Sequence, residues 1–158
     1  MNTSMVILMI RSMQVCDVLD IMRLGHAMHK ESPVFKDADF DNEKVSGLLM
    51  QSINTPNDVC VFVNETEGQI TGGIIGFAYE NWFGPQRVAS DVALFVSQDK
   101  RGGLTAARLI QRYEKWAKAV GCYEVTIGTS TGVNTHRTSD LYKRLGYSAP
   151  AHSFRKRL

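Results

Sequence analysis

Apolar and polar positions along the chain repeat with two periods, and each change of period marks an element. The opening run 5-MVILMIRSM-13 is nearly continuous in apolar residues and predicts a buried strand, with Asp17 placed to cap the next element. Val18, Ile21, Met22 and Leu24 then fall at helical spacing and predict a first helix to about Met28. Pro33 stops any continuation, so 31-ESPVFKDADFD-41 reads as a loop. A second helix is predicted over 42-NEKVSGLLMQSI-53, where Val45, Leu48, Leu49 and Ser52 share a face, and 54-NTPND-58 is a turn cluster.

The next pattern is β-branched and short-period. Residues 59-VCVFVNE-65 and 70-ITGGIIGFAYE-80 predict two strands joined by a hairpin turn at 66-TEGQ-69. Gly72, Gly73 and Gly76 inside the second strand indicate a bulge or a close approach by a neighbour. After the loop 81-NWFGPQ-86, residues 87-RVASDVALFV-96 complete a three-stranded meander. Helical spacing returns at Ala106, Leu109, Ile110, Tyr113, Trp116, Ala117 and Val120, and Gly121 closes that helix. A strand over 123-YEVTIGTS-130, a helix from Thr135 to Leu145 ended by Gly146, and an extended tail over 147–158 finish the chain. The order β, α, α, β, β, β, α, β, α, β predicts an α/β (α+β) fold in one domain spanning 1–158. Its single mixed, mostly antiparallel sheet is expected to have six to seven strands, flanked by about four helices.

Composition narrows the classes. A chain of 158 residues with 44% hydrophobic and 22% charged residues suits one folded domain and is too apolar for disorder. A net charge of +2 does not suggest a nucleic-acid or anionic-membrane partner. The single RGG and the basic end 152-HSFRKRL-158 form no aromatic-interleaved stripe, so no nucleic acid is expected. Cys16, Cys60 and Cys122 are odd in number and widely spaced, as expected of reduced thiols in a cytoplasmic protein, with no metal site. The opening apolar run is too short to cross a bilayer, and no membrane is expected.

The chemistry concentrates at 97-SQDKRGGLTAARLIQRYEKWAKAVG-121. Two glycines stand directly against the start of the strongest helix, where they cost conformational entropy and pack nothing. A strand, a glycine loop and a helix N-terminus form an anion site, because the first helical N–H groups lack partners and the helix dipole favours negative charge. Two well-known phosphate loops are absent: there is no G-x-x-x-x-G-K-[ST], and no G-x-G-x-x-G after a strand.

Here the chain resembles the GNAT superfamily of N-acetyltransferases, whose loop R-G-x-G-x-[GA] precedes the helix that takes the coenzyme A pyrophosphate. The loop reads 101-RGGLTA-106: Arg101, Gly102 and Ala106 match, and Leu104 stands where the pattern usually has its second glycine. The phrase 141-LYKRLGY-147 is similar to the family's L-Y-x-[KR]-x-G-[FY]. Asn134 precedes it at a loop where many members carry asparagine, and 10-IRSMQVCD-17 is similar to the family's opening.

The resemblance implies direct transfer of an acetyl group from acetyl-CoA, as co-substrate, to a primary amine of a small molecule, protein or peptide. It implies a cofactor site formed by Leu94, Phe95 and Val96 at the end of the fourth strand, by the loop Arg101, Gly102, Gly103, Leu104, Thr105 and Ala106, and by Asn134. Tyr142 would be the general acid; helix periodicity alone reads it as a packing tyrosine. Asp91 and Glu80 are the two carboxylates near where many members place a base. His26, His29 and Glu31, with Trp82 and Phe83, border the region where the family's acceptor sits. Members often dimerise through sheet edges or C-terminal strands, which leaves a homodimer open. The alternative is a GNAT-like module that binds coenzyme A or a partner without catalysis.

Overall fold

The computed structural model describes residues 8–158. Five strands form one sheet in chain order: β1 (Leu8–Ser12), β2 (Val59–Thr66), β3 (Gln69–Glu80), β4 (Arg87–Val96) and β5 (Cys122–Thr126). Four helices flank it: α1 (Val18–Glu31), α2 (Asn42–Asn54), α3 (Thr105–Ala119) and α4 (Thr135–Arg144). The first four strands pair antiparallel and β5 joins β4 in parallel, after the crossover through α3. Part of the predicted first strand, 5–7, lies outside the described residues.

Sequence pattern accounts for most of these elements. The β2–β3 hairpin turns on Glu67 and Gly68, both at positive φ (51° and 78°), a two-residue turn whose twist matches its strands. Asp41 caps α2 by accepting from the Lys44 N–H at 3.0 Å. Asp17 plays a different part from the predicted cap. Its carboxylate accepts from the Gln14 N–H at 2.7 Å and from the Arg11 guanidinium at 2.6 and 2.9 Å, and makes no side-chain cap on α1. The Arg11 hydrogen bonds hold the Asp17 carboxyl below the usual carboxylate range against the opposing effect of its burial.

The sheet separates two cores. On one face α3 packs Leu109, Ile110, Tyr113 and Trp116 against Phe62, Ile74 and Ala89. On the other, α1 and α2 pack Ile21, Leu24 and Leu49 against Val61, Val63, Ile75 and Phe95. The β3 glycines make room for this packing. A side chain at Gly73 would meet the Phe95 ring at 2.7 Å, and one at Gly76 the Tyr113 ring at 2.5 Å. They serve the close approach that the sequence pattern indicates.

The expected count of six to seven strands is corrected to five among the described residues. The tail after α4 makes no ladder with β5. It crosses the turn after α1 instead, where Arg155 lies 4.8 Å above the Phe35 ring and Arg157 reaches Asp37 at 3.4 Å. β5 is also shorter than the predicted 123–130, because β4 leaves it: pairing runs from Arg87↔Cys122 to Ser90↔Thr126 and stops.

Candidate active site

The parting of β4 from β5 creates the site. Just beyond the last paired residues, β4 carries a bulge: Ile75 faces Ala93 and Gly76 faces Asp91, so Val92 is the extra residue. From Asp91 to Val96 the edge of β4 that faced β5 has no strand beside it among the described residues. A cavity of about 750 Å³ opens between this edge and the 128–134 loop, with α1, the 97–106 loop and α4 as its other walls.

One end of the cavity is the start of α3. Among the described residues no side chain caps this helix, and Leu104, its N-cap residue, is 63% exposed. Gly102 sits at φ +88°, a left-handed conformation that folds the loop into a concavity of main-chain groups. The Arg137 guanidinium of α4 lies over this glycine, 2.7 Å from where a Cβ would stand, and makes no ion pair among the described residues. Charge in the lining is lopsided: Arg23, Lys30, Lys100, Arg101, Arg137 and Arg144 against Glu31 and Asp91. Uncapped amides, a dipole end and surplus cations suit a polyanion.

The foot of the cavity holds two ionisable side chains, Asp91 and Tyr142, bonded to one residue. Asp91 accepts from the Gly128 N–H at 3.0 Å, and burial raises its carboxyl pKa to about 6. Tyr142 is 8% exposed and donates its hydroxyl to the Gly128 carbonyl at 3.0 Å. Burial, with a smaller contribution from the nearby Asp91 charge, pushes the Tyr142 phenol well above its ordinary value.

The α1 end closes the remaining side. Glu31 and Arg101 form a two-pronged ion pair at 2.6 and 2.7 Å, and Arg101 Nε also donates to the Val96 carbonyl at 2.9 Å. Ser32 donates to the Thr131 carbonyl at 2.6 Å, and Gly132 (φ +72°) sits against Pro33 and Val34. The turn after α1 is thereby fastened to both loops that border the cavity.

A family model for the acetyltransferase (GNAT) family matches residues 23–147. The chain belongs to the GNAT acetyltransferase family. It is therefore an acetyltransferase, of a family whose acyl donor is acetyl-CoA. No curated protein matches the chain. Solved GNAT structures share its fold at low identity. An aminoglycoside N-acetyltransferase in complex with CoA superposes with a TM-score of 0.78 at 16% identity, over 100% of this chain and 99% of that one. A Trypanosoma brucei acetyltransferase gives 0.72 at 18%, over 96% and 100%. Glucosamine-6-phosphate N-acetyltransferase from Arabidopsis thaliana gives 0.72 at 16%, over 96% and 98%. Among the described residues no helix is long and apolar enough to cross a membrane.

Within this GNAT domain the cavity gathers Asp91, Leu94, Phe95, Val96, Arg101, Gly102, Gly103, Thr105, Ala106, Asn134 and Tyr142. The Phe95 side chain itself is buried in the α1 core, so only its main chain is available to a ligand. Leu104 belongs to the loop but not to the cavity lining. Asn134 stands at φ 47°, a left-handed conformation that asparagine tolerates, and begins α4 without a side-chain cap.

Glu80, expected as a possible base, and most of the residues expected to border the acceptor lie outside this cavity. Glu80 pairs with Arg87 at the far end of the β3–β4 ladder, four residues or roughly 13 Å of strand from Asp91. Trp82 (94% exposed) and Phe83 (66%) pack edge to face beyond it, outside the cavity lining. His26 lies 3.9 Å from the Phe40 ring, centroid to centroid, with a 3.1 Å contact to Asn42, and His29 meets the same ring edge-on. Neither lines the cavity. Glu31 does, but its carboxylate is committed to Arg101.

Sequence reading passes over Gly128 and Arg137. A glycine directly after the apolar run 125-VTI-127, and an arginine in the first turn of a helix behind the loop, are the available signals.

Proposed function

We propose that the protein transfers an acetyl group from acetyl-CoA to a primary amine by direct attack within a ternary complex. One observation carries the reading. The fork between β4 and β5 brings an uncapped helix start and two proton-handling side chains, Asp91 and Tyr142, into one cavity.

The main-chain groups from Gly102 to Ala106, together with Arg137, would hold the pyrophosphate of the donor. The open edge of β4 at Leu94, Phe95 and Val96 would pair with its pantetheine arm, and Asn134 stands at the opposite wall. Bound there, acetyl-CoA supplies the acyl carbon as a thioester. Asp91, ionised at neutral pH, accepts the proton that the acceptor amine must lose. Tyr142 retains its proton to high pH and can give it up to a departing thiolate. A main-chain N–H on the open β4 edge meets charge developing on a carbonyl oxygen, the usual device of acyl transfer. The acceptor is a small-molecule or peptide amine.

The second reading is a domain that binds the donor without turnover. It draws on the Tyr142 hydroxyl, which is engaged by the Gly128 carbonyl and must leave it to act. Two measurements on the intact chain separate the readings. Acetyl-CoA at a hundredfold excess over its Kd should stabilise the fold by about 2.7 kcal/mol and raise Tm. Thiol release with small amines and lysine peptides should then exceed the background hydrolysis. Stabilisation without release on any amine favours the binding module, and no stabilisation at millimolar acetyl-CoA removes both readings.

A further inference from the structure

Among the described residues, Gly128 alone is bonded to both Asp91 and Tyr142. Its N–H donates to Asp91 Oδ1 at 3.0 Å, and its carbonyl accepts from the Tyr142 hydroxyl at 3.0 Å. The two groups belong to elements that do not pair, β4 and α4. Gly128 follows the end of β5, where that strand has just left β4. A Cβ at this position would have only Asp91 Oδ1 within 4 Å, at 3.9 Å.

We propose that the residue-128 main chain is a two-sided positioning group that couples Asp91 to Tyr142. The N–H fixes the carboxylate and the carbonyl fixes the hydroxyl. A proton arriving on Asp91 is therefore felt at the phenol through the strand end between them. The N–H and the carbonyl belong to the two peptide groups on either side of one Cα, so the link is positional: any shift of residue 128 moves both hydrogen bonds together. A charged carboxylate draws on the N–H more strongly than a neutral acid does. When Asp91 takes up a proton, its hold on the Gly128 N–H weakens, and so does its field at the phenol. Both changes make the Tyr142 proton easier to release. The structure thus links arrival of one proton to departure of the other in the order that acyl transfer to an amine requires. This rests on the proposed assignment of Asp91 as base and Tyr142 as acid.

Other ionisable groups around Asp91 are few. Tyr113 faces it from α3, and Tyr142 and Tyr147 from α4 and the residues after it. All three are phenols and stay neutral through the pH range in which the carboxyl titrates. His136 and Asp140 share α4 with Tyr142, so Asp91→Asn is what assigns a titration at Tyr142 to Asp91.

The test needs no acceptor. The five tyrosines of the whole chain are labelled with ¹³C at Cζ, and Tyr142 is assigned by its loss in Tyr142→Phe. The Tyr142 signal should move with a midpoint about pH 6. That movement should vanish in Asp91→Asn and lose roughly half or more of its amplitude in Gly128→Pro, which deletes the N–H and keeps the carbonyl. A Tyr142 signal that stays flat between about pH 4.5 and 8 overturns the coupling. So does one that keeps its full amplitude in Gly128→Pro, since Asp91 then acts across space alone. Should Gly128→Pro fail to fold, the Gly128 amide proton of the unmodified chain takes its place. It must shift with the same midpoint as Tyr142, and both shifts must disappear in Asp91→Asn; an amide that does not move overturns the proposal. The relay can hold while amine-dependent thiol release is absent, so this test and that of the proposed function fail separately.

Discussion

In the proposed mechanism, Asp91 serves chemistry against stability. Burial raises its carboxyl pKa to about 6, so the folded state binds its proton more tightly than the unfolded chain does. That difference favours the fold at acid pH and is lost as pH rises through about 6, where the folded protein must hold a half-buried charge. Asp91→Asn removes the charge and can still accept from Gly128. It should raise stability by about 1–2 kcal/mol at pH 8, after discounting for partial solvent access, and change little at pH 4. Denaturant melts at the two pH values check this. The same variant should lose the rise of kcat/KM with pH through about 6 and most of its activity. Tyr142→Phe should instead keep acetyl-CoA affinity and lower kcat by roughly 10²-fold, the scale of one general acid. A Phe variant with full kcat would leave solvent as the proton source.

Among the elements, the loop before α3 carries the sharpest expectation. Gly102→Ala forces a side chain into a left-handed conformation and against Arg137, and should cost about 1–2 kcal/mol. It should also raise KM for acetyl-CoA while kcat at saturation stays within about twofold. Gly47→Ala on α2, where a Cβ has nothing within 4 Å, should stabilise the helix by roughly 0.5–1 kcal/mol and leave KM alone. Comparing the two variants by steady-state kinetics and melting separates a binding loop from a tight turn.

Element boundaries are largely legible because periodicity reports burial, and burial is local to an element. The strand predicted over 87–96 coincides with β4, Arg87–Val96, and the predicted second helix matches α2 to within one residue. The predicted strand over the tail fails because a strand needs a partner, and no pattern within residues 147–158 states whether β5 will offer one. The site is legible only where it is contiguous. The loop 101–106 and the phrase around Tyr142 announce themselves in sequence. Gly128, Arg137 and the Glu31–Arg101 pair act across separations of 14 to 70 residues, which no local pattern encodes. Trp82 and Phe83 stand out as aromatics in a loop, yet they sit at the other end of the hairpin.

At the scale of the whole molecule, two cores lie back to back, and the sheet is the wall between them. From β1, the Arg11 guanidinium ties the start of α1 to that wall, bridging Asp17 at 2.6 Å and Glu65 of β2 at 2.8 Å. The wall is continuous from β1 to β4 and splits only at the last seam. There, four residue pairs, Arg87↔Cys122 to Ser90↔Thr126, hold β5 to the sheet, and the strands part immediately above them. A short zip below an open mouth divides the main-chain amides into two kinetic populations. Amides in the β2–β3 ladder should exchange with deuterium only through global unfolding, whereas the β4 amides above the seam that point away from β3 should exchange orders of magnitude faster. A ligand lying along the open edge would act as the missing strand, so acetyl-CoA should slow exchange between Asp91 and Val96 and leave the β2–β3 amides unchanged. Uniform slowing throughout the sheet would mean that the donor tightens the fold as a body, without lying along β4.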